Sequence, residues 1–334
     1  MATPVVFYPF PRLPSRTPSL MLPRSSFVAL AAFLTIALVF VLRPFSVPSS
    51  YYRDVFDQGR SLTTWLSAEE ARYAALLQQR RQLIKKWGPT EVDVESYPTH
   101  RELYTMWDFF IPAFQCPHRV ERIGTLGDGG KWVCGMDRLA KQDKCVIYSF
   151  GVNDESSFES SLLKRAPGCE VWGYDYSVNS WGPEITGDPE LRHRAHFSPW
   201  ALGGTDNHQE SDNPKWWTLD SLMKLNGHTF IDVLKIDIEG GEFDALVSFI
   251  AAHAQEGELP VGQVQLEIHA QGDRGRFDYF VKWWESLEAV GLRPFWTEPN
   301  LVYINIVRGV LPELAEYSFI NIRGNHALVN EAFN

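Results

Sequence analysis

Asp237 and Glu239, in "VLKIDIEGGE", stand two residues apart at the end of an apolar run. On an extended strand that spacing turns both carboxylates to one face. Lys235 shares that face, with Leu234, Ile236 and Ile238 on the other. Glu267 and His269 repeat the spacing at the end of "VQLEIH". A carboxylate beside an imidazole at a pocket mouth can take a hydroxyl proton, which makes Glu267 and His269 candidates for a catalytic base. Three acids with a histidine can also hold a divalent metal, although no metal ligand is assigned. The plainer alternative is that Glu239 and Glu242 complement the amino terminus of the next helix, worth about 0.3 to 1 kcal/mol each. Two acids where one would cap the helix favour a site.

A second constellation lies upstream. "SFGVNDESSFE" closes an apolar run with a single glycine, Gly151, and leads into a helical stretch. Glycine there lets backbone approach a ligand closely, and a helix start offers unpaired N–H groups. Asp175 ends the following run, "CEVWGYD", 24 residues after Gly151, where an acid can accept both hydroxyls of a ribose. The turn departs from the three-glycine dinucleotide fingerprint and carries Asn153, Asp154 and Glu155. A pyrophosphate would meet two carboxylates at the helix start, where anions belong only if nothing repels them. A cationic cofactor with a ribose and no phosphate suits the turn better, and S-adenosylmethionine has both properties. Gly151, Asn153 and Asp175 are therefore the cofactor-binding candidates.

These residues need a scaffold of alternating strands and helices. Strand patterns fall at 145–150, 169–175, 193–202, 230–237, 261–269, 301–307 and 316–322, with helices at 155–166, 218–227, 241–255 and 276–291 between them. That alternation predicts a doubly wound α/β sheet covered on both faces, its ligand beyond the carboxyl ends of the strands. The last two runs, with no clear helix between them, predict an antiparallel end. Upstream, "GDGGKWVC" reads as a hairpin turn, or as a flap closing on the ligand through Asp128 or Lys131. "SAEE" (67–70) reads as a capping box opening a helix that ends at Trp87 before Gly88-Pro89. The helix packs on its own domain or, with Arg80 interrupting its seam, self-associates weakly through 68–87.

The chain has 334 residues and a net charge of −10 with no basic stripe, which excludes a general nucleic-acid binder. Twelve tryptophans, including the pairs Trp216-Trp217 and Trp283-Trp284, fit an aromatic core. Residues 1–53 hold no acid, and "FVALAAFLTIALVFVL" (27–42) is sixteen apolar or Thr residues between Arg24 and Arg43. That run is short for a bilayer span of about 17 to 25 residues, but no small-residue cleavage site follows it, so a signal anchor is favoured over a secretory or mitochondrial leader. Arg12, Arg16 and Arg24 on its amino side give a cytoplasmic amino terminus and a lumenal remainder. The organisation expected is a tail (1–26), a transmembrane anchor (27–43), a stem with a juxtamembrane helix (44–99) and the α/β domain (100–334), in the Golgi or endoplasmic reticulum. Cys116, Cys134, Cys145 and Cys169 include no C-x-x-C pair. One or two disulfides, in any of three full connectivities, compete with free thiols.

"LKIDIEGGEFDAL" (234–246) resembles the strand-and-turn signature of FkbM-type methyltransferases. "RIGTLGDGGKWVC" (122–134), followed by "VIYSFGVNDESSFE", is similar to the methyltransferase-like protein 24 group of membrane-anchored proteins. The resemblance covers about residues 100–325. It implies a seven-stranded, Rossmann-like methyltransferase fold with an antiparallel last strand, binding S-adenosylmethionine through Gly151 and Asp175. Asp237 and Glu239 would line the cofactor or reaction pocket, with Glu239 joining the catalytic candidates. The expected activity is methylation of an oxygen on a small-molecule, glycan or lipid acceptor. A type II Golgi glycosyltransferase using "IDIE" with a metal and a nucleotide sugar, and a non-catalytic protein keeping the fold, are the competing readings.

Overall fold

The computed structural model describes residues 61–100 and 102–333. They fall within one compact unit, Gln58–Asn334. The expected tail and anchor, 1–43, and the first part of the stem lie outside the described residues. Among the described residues no helix is long and apolar enough to cross a membrane.

Helix α1, Leu62–Trp87, opens the unit. Its cap is Ser61, whose hydroxyl accepts from the Thr64 amide at 3.2 Å. Ser67 is inside the helix, donating to the Thr63 carbonyl, so the expected capping box is not the start. Ser61 lies six residues earlier and caps the amides of the actual first turn. Gly88 ends the helix as expected. Tyr73 packs with Phe114, Phe295 and Leu328. Arg80, which interrupts the apolar seam, is 3 % exposed. It donates to the Phe109 carbonyl and to both Glu288 oxygens at 2.9 and 2.7 Å, and Trp284 Nε1 donates to the same carboxylate. A guanidinium in that fork is satisfied inside the protein, so α1 is held by its own domain.

Hairpin strands Val120–Ile123 and Lys131–Cys134 pair antiparallel and precede the central sheet. That sheet comprises β1 (Cys145–Phe150), β2 (Cys169–Tyr174), β3 (Ala195–Ser198), β4 (Ile231–Ile236), β5 (Val261–His269), β6 (Leu292–Pro299) and β7 (Leu314–Asn321). Their order is β3-β2-β1-β4-β5-β7-β6. β1 to β5 run parallel, and β7 is antiparallel to both β5 and β6. Helices α2 (Ser157–Arg165), α3 (Leu219–Asn226), α4 (Glu242–Ala252) and α5 (Phe277–Ala289) occupy the connections. Buried side chains on both faces, such as Phe158 and Leu162 on one and Phe243, Phe280 and Trp284 on the other, make the core. This is the doubly wound arrangement, seven strands with an antiparallel last strand.

Two expectations fail at the sheet's end. The 301–307 run is not a strand but a short helix, α6 (Leu301–Ile306), capped by Asn300 Oδ1 on the Tyr303 amide at 2.9 Å. The strand is the preceding stretch, "LRPFWTEP". Its two prolines argue against a strand in the sheet interior, but β6 is the edge strand, where a missing N–H costs no ladder bond. Pro294 lies at the register shift, and Pro299 is the last residue. The 193–202 run splits into β3 and a two-residue strand, Ala201–Leu202, that pairs with Trp216–Trp217.

The four cysteines form two disulfides, Cys116–Cys134 and Cys145–Cys169. The first ties the segment before the hairpin to its second strand, and the second joins β1 to β2 at paired positions.

Candidate active site

The strand order reverses between β1 and β4, and the carboxyl ends of β1, β2, β4 and β5 meet there. Gly151 follows β1 with φ +76°, and a Cβ would lie 1.6 Å from the Asp237 carbonyl oxygen. Only glycine lets these two strand ends touch. The Gly151 amide donates to the Tyr174 carbonyl and Asp237 N–H to the Phe150 carbonyl, both at 3.1 Å. The buried Lys235 ammonium donates to the Gly151 carbonyl. Asn153, with φ +50°, turns its backbone N–H to Asp175 Oδ2 at 2.7 Å. Asp175 Oδ1 accepts from the Ser177 amide and hydroxyl at 2.8 and 2.6 Å. Three of the roughly four lone-pair positions of that carboxylate therefore already hold the turn together. Beside it Tyr176 is 58 % exposed, its ring 6.0 Å from that of Trp216.

At the other half of the site the expected pleat fails and a turn replaces it. β4 ends at Ile236, and Glu239 adopts φ +55° with an 87 % exposed side chain. Asp237 and Glu239 are thus not neighbours on one strand face, yet both reach the site: Glu239 Oε2 lies 3.3 Å from His269 Nε2. Glu267 and His269 do share a face of β5 and are both buried. Glu242, at the start of α4, accepts from the Gly240 and His269 amides at 2.8 Å each and lies 3.3 Å from His269 Nδ1. It fixes the turn and the imidazole together, which is more than helix capping.

The same face of β5 explains how a third element arrives. Gln263 bonds both the N–H and the carbonyl of Cys134 at 3.0 Å, and Gln265 Nε2 and Ser318 Oγ donate to the Trp132 carbonyl. Side-chain amides act as a surrogate strand that docks the hairpin on the sheet. Its loop packs on the β1 turn: the Thr125 amide donates to Ser157 Oγ at 2.8 Å, and a Cβ at Gly129 would meet Glu155 Oε2 at 2.1 Å. The block is both a hairpin and a cover. Lys131, 2 % exposed, reaches Asp237 Oδ2 at 3.3 Å and Glu267 Oε2 at 3.9 Å and bonds Glu316 of β7. Asn300 Nδ2 donates to Glu267 Oε1 at 2.7 Å. Glu316, Asn300 and Glu242 were missed as site residues. Glu316 and Asn300 sit on elements whose place depends on sheet order, Glu242 was legible only as a helix-start acid, and "GGK" was the one local signal for Lys131.

Burial works against charge at Asp237, but Lys131 and Lys235 outweigh it and lower its pKa to about 2. Burial pushes Glu267 the other way, to about 9, with Asp237 and Glu316 adding to it. The two carboxyls act as a pair holding one proton, which stays on Glu267. Burial disfavours the His269 cation, yet the hydrogen bond and charge of Glu242 prevail and raise it to about 9. Burial likewise opposes the Lys131 ammonium, and Glu316, Asp237 and Glu267 reverse that effect and raise its pKa. Glu267 and His269 thus keep their protons at neutral pH. Neither is ready to act there as the base expected from sequence.

Ligand atoms of Asp237, Glu267 and His269 lie within 4.8 Å of one another, close enough to hold a metal ion. The donor chemistry of the β1 and β2 ends fits S-adenosylmethionine: carboxylates for a cation and for ribose hydroxyls, an exposed aromatic face, and acids at a helix start that disfavour a phosphate. Sheet order and site together define a Rossmann-like methyltransferase fold. Residues 77–308 match the family described as a methyltransferase domain, so the chain belongs to that family, and its cofactor is S-adenosylmethionine. The resemblance to the methyltransferase-like protein 24 group is borne out. "Probable methyltransferase-like protein 24" of Rattus norvegicus is 30% identical over 162 residues, 46% of this chain and 42% of that protein. Its Homo sapiens counterpart is 31% identical over 165 residues, 46% and 43% of the two chains. The match thus spans under half the length of these curated relatives. A fibrillarin pre-rRNA processing protein of Methanococcus jannaschii superposes with a TM-score of 0.31 at 14% identity, over 54% of this chain and 68% of that one. The METTL16 MTase domain gives a TM-score of 0.30 at 10% identity, over 55% and 63%. At such scores the strand order, not the superposition, carries the fold.

Proposed function

We propose that this chain is a membrane-anchored methyltransferase that moves the methyl group of S-adenosylmethionine to an oxygen of a small-molecule, glycan or lipid acceptor. The observation that carries the reading is that Gly151, Asp175, Asp237, Glu267 and His269 gather at the carboxyl ends of adjacent strands. The cofactor supplies an electrophile already activated by its sulfonium, so alignment matters more than a strong base. Asp175 and the Asn153 amide shape the ribose end of the cleft, and Tyr176 offers a flat face to the adenine ring. Asp237 keeps a negative charge beside the cationic centre. Glu239, exposed beside His269, is the carboxylate that would accept the acceptor's hydroxyl proton.

Two disulfides support a domain facing an oxidising lumen, in keeping with a type II anchor at 27–43 in the Golgi or endoplasmic reticulum. The glycosyltransferase alternative is disfavoured because Glu239 leaves the strand, so "IDIE" makes no side-by-side carboxylate pair. The test is calorimetric titration of the detergent-solubilised full chain with S-adenosylmethionine, against a UDP-sugar with Mn2+. Saturable binding of S-adenosylmethionine alone is expected, followed by methyl transfer in an acceptor screen. Binding of the nucleotide sugar instead, or of neither by folded protein, overturns the proposal.

A further inference from the structure

Asp237, Glu267 and Glu316 come from three different strand ends and converge on one point. Carboxyls this close repel one another unless one takes up a proton or a cation lies among them. Oxygen-rich clusters of this kind ordinarily take Mg2+ or Mn2+. Here the point is filled from within the chain. Lys131 Nζ lies 3.3 Å from Asp237 Oδ2 and 3.9 Å from Glu267 Oε2 and is hydrogen-bonded to Glu316.

We propose that Lys131 is the resident cation of this site and stands where a divalent metal would otherwise bind between Asp237 and Glu267, so that the site works without metal. Two observations agree. The ammonium contacts two of the three residues whose ligand atoms could close on a metal. Its position is preset rather than incidental: Gln263, Gln265 and Ser318 dock the Lys131–Cys134 strand on the sheet, so the side chain enters from a fixed backbone. Lys131 is a positioning residue: it holds the Asp237 carboxylate in its charged, inward form and is itself buried from the acceptor.

The inference uses the site as located above, but its readout does not depend on the methyltransferase reading. Failure to bind S-adenosylmethionine would sink that reading and leave the cation question standing. The experiment is Mn2+ titration of the solubilised full chain, followed by electron paramagnetic resonance, for the native protein, Asp237→Asn, Lys131→Ala, Lys131→Arg and the double variant Lys131→Ala/Asp237→Asn. The native protein and Lys131→Arg are expected to show no saturable site. Lys131→Ala is expected to bind one Mn2+ at least about tenfold more tightly than the native protein, and the double variant to lose it. Stoichiometric Mn2+ binding by the native protein, abolished by Asp237→Asn, overturns the proposal, and this arm stands even if Lys131→Ala does not fold. A folded Lys131→Ala that binds no Mn2+ overturns it as well.

Discussion

Glu267 and His269 are legible from their spacing, and the structure places them together, but their protonation is the work of neighbours from other elements. Glu267 holds its proton up to about pH 9 because Asp237 and Glu316 stand beside it in a buried place, and His269 does so because of Glu242. The sign of the stability effect follows. A histidine raised from 6.5 contributes fully below pH 6.5 and loses that contribution as pH rises through about 9. A carboxyl raised from 4.5 makes the folded state bind the extra proton, so stability also falls with rising pH between 4.5 and about 9. Thermal unfolding across pH 6.5 to 9 should therefore show declining stability, by up to about 1.4 kcal/mol per pH unit for each proton. Glu267→Gln mimics the protonated form and should flatten this slope; an unchanged slope would refute the assignment. At the acid end Asp237 works in reverse, its contribution being lost as pH falls from 3.8 through about 2. Asp175→Ala should weaken S-adenosylmethionine binding at least about tenfold, partly by releasing the Asn153 turn. Native affinity in a folded variant would remove Asp175 from the site.

Strands β1, β2, β4 and β5 and helices α3, α4 and α5 stand within a few residues of where periodicity and caps predict them, because each is a local signal. β6 was illegible because its prolines are acceptable only on an edge, and a strand's place in the sheet is not a local property. "LVYINIV" misled for the complementary reason: β-branched residues suit strands, but the Asn300 cap and the lack of a partner strand make it a helix. Gly151→Ala tests the element packing. With φ +76° and a Cβ 1.6 Å from the Asp237 oxygen, the β1 and β4 ends must separate. A loss of about 3 kcal/mol or more is expected in denaturant unfolding, and a loss under about 1 kcal/mol would contradict the close approach. Arg80→Ala leaves Glu288 buried without its partner and should cost about 3 to 5 kcal/mol. Adding Glu288→Gln should recover part of it, as a double-mutant cycle would measure.

For the whole molecule, the two disulfides close loops of 18 and 24 residues. Each should stabilise the domain by about 3 kcal/mol through the unfolded chain. Unfolding with and without reductant measures this, and equal midpoints would mean that the bridges do not constrain the protein in solution. The membrane expectation is tested by fractionation. The full chain should stay with membranes through alkaline carbonate, and a chain beginning at residue 58 should leave them. Release of the full chain by carbonate would remove the anchor from the proposal.

By itself, the order of residues determined the class of fold, the cofactor-type turn and the acid-rich strand ends, because turn glycines, alternating apolar runs and strand-end acids act within a few residues of themselves. It left the pairing of four cysteines open, placed Glu239 on a pleat it does not occupy, and gave Lys131 and Glu316 no common address. Only the tertiary structure decided these. The Gln263–Gln265–Ser318 ladder that brings Lys131 into the cleft spans the hairpin, β5 and β7. The charge on each carboxyl there depends on distances across that ladder, and Coulomb interactions and burial act between neighbours in space, which sequence separation does not encode.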